Sequence, residues 1–100
     1  MARLIVMYNN APDVAAFKKY YFDQHVPLAK KIPGLRKYET SQGPVLTPSG
    51  PSPYQLIATL HFDTIAAIQA AFASPEGKAA GADAQTLGVA QMLIFDERTV

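Results

Sequence analysis

The chain holds two histidines and no cysteine, so imidazole is the side chain whose proton moves most easily near neutral pH, and thiolate chemistry and disulfides are excluded. His25 has the more telling setting. It lies in Tyr21-Phe22-Asp23-Gln24-His25-Val26-Pro27-Leu28, two residues before a proline that interrupts a helical pattern. Val14, Phe17, Tyr21, His25, Leu28 and Ile32 recur at steps of three and four, which sets one imidazole on an otherwise apolar helix face. Pro27 has no N–H to give to the preceding turn and disfavours a helical Val26, so the helix should kink or restart there. Backbone carbonyls from Tyr21 to Asp23 then lose partners, and a polar niche opens beside the oily stripe. An imidazole in that niche can take or give a proton. Equally, it can do no more than satisfy the loose carbonyls. Tyr21, one turn earlier on the same face, can orient the imidazole, bind a substrate oxygen or simply pack in the core. Asp23 points away from that face, toward solvent or Lys19, and makes a weak partner for His25.

The other chemistry-bearing residues carry less. His61 alternates with Gln55, Ile57 and Thr59 on one face of a strand, with no acid or second histidine beside it at strand spacing, which favours an interface role. A metal site would need both histidines in one cavity, and the helix and strand stripes do not demand that, so no metal is expected. A haem held by one histidine would need a larger pocket than these stripes suggest. Gly43 and Gly50 sit in a proline-rich stretch outside any strand-loop-helix context, so no nicotinamide or nucleotide cofactor has support. Ser41, Ser49 and Ser52 have no positioned base, which leaves a hydrolase triad unsupported.

The elements that would position these residues read clearly. Arg3 to Tyr8 is a continuous apolar strand, buried on both faces by its composition. Asp13 can cap the first helix, whose outer face carries Lys19, Asp23 and Lys30 and which Pro33-Gly34 stops. A strand of mixed character follows from Leu35 to Ser41. Gln42 to Pro53, with its four prolines and two glycines, should be a long mobile loop. Tyr54 to Phe62 is the clearest strand, with Tyr54, Leu56, Ala58, Leu60 and Phe62 on one face. Asp63 is placed to cap a helix with stripe Ile65, Ile68 and Phe72, and Ser74-Pro75-Glu76 restarts it with a cap, a proline and an acid at its positive end. Val89 to Phe95 is the last strand.

The order βαββαβ makes a split pair of βαβ units, an α+β ferredoxin-like sandwich with an antiparallel sheet. Right-handed crossovers put both helices on one face. The other face then carries apolar residues of the first and last strands, which calls for a partner, most simply a second copy. Composition agrees: 49% hydrophobic residues mark a globular chain, and 17% charged residues is low enough to suggest hidden surface. One hundred residues make a single domain, 1–100. A net charge of +1 gives no field for nucleic acid, and the cations at Lys18, Lys19, Lys30, Lys31, Arg36 and Lys37 read as a solvated helix face. No run reaches the roughly eighteen apolar residues of a membrane span. Met1-Ala2-Arg3 leads directly into a short strand, so no signal peptide is expected and the cytoplasm is the default location.

Taken together, these residues resemble the EthD family of dimeric α+β barrels. The likeness rests on Phe17-x-x-Tyr20-Tyr21-x-x-x-His25-x-Pro27-Leu28-Ala29, Pro33-Gly34-Leu35, Leu60-x-Phe62-Asp63, and Ser74-Pro75-Glu76-Gly77 with Asp83. It departs from the family where an Asn-Phe pair would follow Asp83 and this chain has Gln85-Thr86-Leu87-Gly88, at one end of the pocket. The resemblance implies a ferredoxin-like subunit, a barrel made by two sheets, a small cavity in each subunit and a histidine of the motif at His25. The family and its relatives include an ether-degradation protein, a muconolactone isomerase, polyketide-modifying proteins and cofactor-free oxygenases, so kinship alone selects no reaction. The expectation is a homodimer that binds a small, largely apolar, aromatic or polyketide-like molecule between helices and sheet. Phe17 and Leu28 would wall the cavity from the helix, Val6, Tyr8 and Leu60 from the strands. His25 with Tyr21 would then catalyse cofactor-free proton transfer, in isomerisation or in priming a substrate for oxygen. The alternative is a non-catalytic binding or accessory protein whose His25 ties up the helix break.

Overall fold

The computed structural model describes residues 1–100. Strand β1 (Ala2–Asn9) leads through Asp13, whose carboxylate accepts the Ala16 N–H at 3.0 Å, into helix α1 (Val14–Tyr20). A π-helical turn, Tyr21–His25, carries α1 into the short helix α2 (Val26–Ala29). The helix therefore widens where a kink is expected. In the wide turn the Val26 N–H reaches the Tyr21 carbonyl, five residues back, and Pro27, with no N–H to offer, follows it as the chain re-enters α geometry. Gly34, at φ 81°, supplies the left-handed turn that ends this segment.

Strand β2 spans Lys37–Thr40, and bonds from Arg36 N–H to the His61 carbonyl and from Ser41 N–H to the Ile57 carbonyl prolong its ladder at both ends. The proline-rich stretch holds a tight hairpin rather than a structureless loop: β3 (Leu46–Thr47) pairs with β4 (Gly50–Pro51), and Thr47 Oγ1 donates to the Gly50 carbonyl at 3.0 Å. Here Pro48 and the left-handed Gly50 pre-set the turn that closes it. Strand β5 (Tyr54–Phe62) is followed by α3 (Ile65–Ala73), whose cap is Thr64 and not Asp63. The Thr64 hydroxyl accepts the Ala67 N–H at 3.0 Å, whereas Asp63, one residue too early, is held by Arg36 at 2.8 Å. Ser74 caps α4 (Pro75–Thr86) as its sequence indicates, and β6 (Val89–Asp96) closes the chain.

The four long strands form one antiparallel sheet in the order β2-β5-β1-β6. This is the α+β ferredoxin-like subunit fold of the dimeric α+β barrels, with the helices on one face. Ala2, Leu4, Val6 and Tyr8 of β1 and Leu56, Ala58, Leu60 and Phe62 of β5 face them and make the core with Ile68, Ala71, Ala80 and Ala84. Ile5, Met7 and Ile57 point the other way, and so do Leu93, opposite Ile5, and Phe95, opposite Arg3, on the edge strand, 40% and 41% exposed. That face has no helix over it.

Helices α3 and α4 meet so closely that a Cβ on Gly77 would lie 2.0 Å from the Ala71 carbonyl oxygen. Backbone on both sides leaves nothing to give way. Gly77→Ala should therefore destabilise the fold by about 1–3 kcal/mol, read as a lowered Tm, while Gly81→Ala, whose Cβ meets nothing, should not. Equal melting of the two variants would refute the close contact.

Candidate functional site

The wide turn brings Tyr21 and His25 inward together. Their rings lie 5.1 Å apart at 34°, and Tyr8 of β1 meets both edge-on, at 5.4 and 6.5 Å. His25 is only 4% exposed. A buried imidazole needs a partner, and the structure supplies one from the far half of the chain: Nδ1 lies 2.9 Å from Oδ2 of Asp83 on α4. The other oxygen of Asp83, Oδ1, accepts the Tyr20 hydroxyl at 2.6 Å. An ionised carboxylate can only accept, so Nδ1 carries the proton and Nε2 presents a lone pair. The bond that orients the ring thus also fixes its basic nitrogen. The same carboxylate holds the exposed Tyr20 phenol above its usual pKa by accepting its hydrogen bond.

His25 lines a cavity between helices and sheet with Val6, Tyr8, Ala58 and Leu60 from the strands, Tyr21, Ala29, Ala80, Gly81 and Ala84 from the helices, and Ile32 from the turn after α2. Twelve of its fourteen lining residues are hydrophobic. Tyr38 of β2 completes one wall, its hydroxyl 2.5 Å from that of Tyr21. Burial, first of all, raises the pKa of Tyr8, Tyr21 and Tyr38, so all three phenols stay neutral hydrogen-bond donors at physiological pH. The cavity is small, about 20 Å³, room for a water molecule. No group of three or more histidine and acidic side chains comes together for a metal.

The residues singled out from the sequence divide into two groups. His25, Tyr21, Val6, Tyr8 and Leu60 meet at the cavity. Phe17 stands behind it, stacked on Tyr21 at 5.8 Å and edge-on to Tyr8 at 5.7 Å. Leu28 faces a separate groove with Lys31, Pro75 and Glu76. Widening by the π turn shifts the residues after it around the helix axis, so an α-helical stripe projected through Leu28 misses. Asp23 bonds Lys19 at 3.1 Å, away from His25. Asp83 and Tyr38 are the site residues that periodicity alone does not find. Asp83 is visible instead as one of the residues that carry the likeness to the EthD family, although that likeness does not give it His25 as partner.

His61 lies on the uncovered sheet face, across the sheet from the His25 cavity. An acid does stand beside it: Glu39 Oε1 is 2.6 Å from His61 Nε2. The acid comes from β2, where register sets Lys37 opposite His61 and Glu39 on the diagonal, a neighbour that spacing along one strand does not reveal. This hydrogen bond, helped by Lys37, holds the Glu39 carboxyl below its usual range.

A ferredoxin-like subunit with a histidine–carboxylate pair buried at an apolar cavity defines a class of small proteins with one site per chain. The EthD domain pattern matches residues 11–87, and the chain belongs to the EthD family. It is similar to an uncharacterized 11.0 kDa protein of the thcB-thcC intergenic region of Rhodococcus erythropolis, with 40% identity over 100% of this chain and 98% of that protein. An ethyl tert-butyl ether D family protein from Bacillus halodurans C-125 superposes with a TM-score of 0.89, at 34% identity over 98% of this chain and 99% of the other. SnoaB, a cofactor-independent oxygenase from Streptomyces nogalater, shares the fold with a TM-score of 0.71, at 12% identity over 99% and 94% of the two chains. No helix is long and apolar enough to cross a membrane.

The tautomer is directly measurable. Long-range proton–nitrogen NMR should show the wild-type His25 ring protonated at Nδ1. In Asp83→Asn, whose amide can donate to Nδ1 instead, the Nε2–H form should gain population and the fold lose about 1–3 kcal/mol. A wild-type ring protonated at Nε2 would refute the assignment.

Proposed function

We propose that this chain is the subunit of a homodimeric, cofactor-free protein that binds a small apolar substrate, aromatic or polyketide-like, in its own cavity and removes a proton from carbon. The observation that carries the reading is the buried His25–Asp83 pair, at 2.9 Å, on the wall of an apolar cavity. Nε2 is the base: it takes the proton from an acidic C–H, and the electron pair moves onto the substrate's conjugated oxygen. Asp83 stabilises the imidazolium so formed. Return of the proton to another carbon gives isomerisation; alternatively the carbanion's electron pair forms a C–O bond to dioxygen, the oxidant, and the peroxide so formed takes the proton back from the His25 imidazolium as a hydroperoxide. Shared fold with SnoaB, named as a cofactor-independent oxygenase, supports the second outcome as one open to this scaffold. A neutral Tyr21 phenol beside the imidazole supports it as the donor to the developing oxyanion. Val6, Tyr8 and Leu60 bound the substrate's apolar part, and Phe17 holds Tyr8 and Tyr21 in place from behind. A cytoplasmic setting, a small molecule as ligand and no nucleic-acid partner fit a chain with no cysteine and a net charge of +1.

The experiment is exchange of carbon-bound protons for deuterium in a panel of activated ketones and hydroxylated aromatics, followed by NMR with and without oxygen. His25→Asn, which keeps hydrogen bonding but cannot act as the base, should lower exchange by about 10²–10⁴-fold with binding retained. Unchanged exchange with retained binding would mean a binding or accessory protein in which His25 only ties up the helix break.

The dimer is read from the uncovered sheet face, where Ile5, Met7, Ile57, Leu93 and Phe95 share one side of the sheet with no helix over it. Sedimentation at micromolar concentration should show a species of twice the subunit mass, and Phe95→Glu should shift it toward monomer. A wild-type protein that sediments as monomer alone would sink the claim.

A further inference from the structure

A cavity of about 20 Å³ holds a water, yet the site chemistry calls for a ring. The way out of this mismatch lies at Tyr38. Tyr38 lines the inner cavity and also a surface groove of about 200 Å³ formed with Phe22, Val26, Lys30 and Thr40. It is the one residue that the two spaces share. Tyr21, deeper in, is fully buried, while Tyr38 is half-buried on a four-residue strand at the edge of the sheet. An edge strand has neighbours on one side only, so Tyr38 can swing outward without disturbing the sheet's centre. The two phenol oxygens stand 2.5 Å apart, a bond that ties Tyr38 to the buried Tyr21. Beside it Phe22 leaves a large aromatic side chain 47% exposed, edge-on to Tyr21 at 5.2 Å. Solvent-facing aromatic surface at the mouth of an apolar cavity is an entry platform for a flat ring.

We propose that Tyr38 is a substrate-exchanged latch: an aromatic or cyclic ligand bearing a hydroxyl or carbonyl oxygen enters over Phe22, and its oxygen replaces the Tyr38 hydroxyl as the partner of Tyr21. Displacement of the latch joins the inner cavity to the far larger groove outside it. The arrangement selects its ligand twice. A ring without oxygen gains space but takes from the buried Tyr21 hydroxyl the partner it has in Tyr38, a loss that an oxygen-bearing ring makes good. Tyr38 is a specificity residue here, and Tyr21 the group that reads the oxygen. The inference rests on the cavity being the ligand site, and is independent of whether His25 performs chemistry.

The test compares 1-naphthol with naphthalene as probes, with Kd and kon from fluorescence titration and stopped flow. Wild-type protein should bind 1-naphthol about tenfold more tightly than naphthalene. Tyr38→Phe, which keeps the ring and removes the latch bond, should bind 1-naphthol faster and at least as tightly. Tyr21→Phe should erase the preference between the two probes. Tyr38→Ala should enlarge the effect on kon, and Tyr38→Phe alone decides the matter if the alanine variant does not fold. The proposal is overturned if Tyr38→Phe changes neither Kd nor kon, if Tyr21→Phe keeps the preference, or if neither probe binds. Failure of proton transfer looks different: His25→Asn would leave deuterium exchange unaltered while the naphthol preference and its dependence on Tyr21 persist.

Discussion

Everything at the site follows from one missing hydrogen-bond donor. Pro27 cannot close a helical turn, yet the segment has to run on from Asp13 to Pro33-Gly34 to cross back over the sheet. The chain resolves this by widening the preceding turn, so that Val26 bonds the Tyr21 carbonyl five residues back and the helix proceeds through Pro27. A π turn is bought with poorer backbone geometry, and it survives here because both inward residues of the turn are tied down. Tyr21 is bonded to Tyr38 on the sheet, and His25 to Asp83 on α4. The widened turn is thereby clamped to the two halves of the fold at once.

The clamp explains how an ionisable pair can sit against an apolar core. Asp83 is satisfied at both oxygens, by His25 and by Tyr20, so its charge is buried only in company. Small residues make this approach feasible: Ala80, Gly81 and Ala84 let α4 come close enough for a short acidic side chain to reach across. The surroundings stay oily, and oily surroundings keep the Tyr8, Tyr21 and Tyr38 phenols protonated. One environment thus supplies a base with a free nitrogen and neutral donors beside it, which is the division of labour that proton abstraction next to an oxygen requires.

Much of this was legible in the residues, for identifiable reasons. Strands such as Tyr54–Phe62 announce their faces because side chains alternate strictly, and the register of β1 on β5 keeps that alternation across the sheet. His25 and Tyr21 could be placed together because four residues is one turn in either helix type. Leu28 could not, since its position depends on how much the intervening turn widens. The pairings of Asp83 and Glu39 were hidden for another reason: each reaches its histidine from a different element, 58 and 22 residues away in sequence. A hairpin in the proline-rich segment was missed because proline and glycine mark turns without saying whether the turns close a ladder. Local pattern names the face a residue occupies; only the assembled fold names its partner.

The two faces of the sheet divide the chemistry between them. His25 belongs to the covered face and His61, paired with Glu39, to the open one, so the two imidazoles cannot share a ligand. Yet the faces are not independent. Val6 and Tyr8 wall the cavity, while Ile5 and Met7 of the same strand project into the open face, and Ala58 and Leu60 alternate with Ile57 and Thr59 in the same way. A pleated strand cannot shift one face and leave the other in place. A second subunit seated on Ile5, Met7, Leu93 and Phe95 would therefore fix the central strands β1 and β5 and leave β2, at the edge, as the element with freedom to move. The rigid wall carries Tyr8, against which Tyr21 and His25 are set; the yielding one carries Tyr38. A site that, as proposed, admits a ring and holds a proton donor and acceptor in register would need that asymmetry, and β2 at the sheet's edge beside central β5 and β1 is consistent with it.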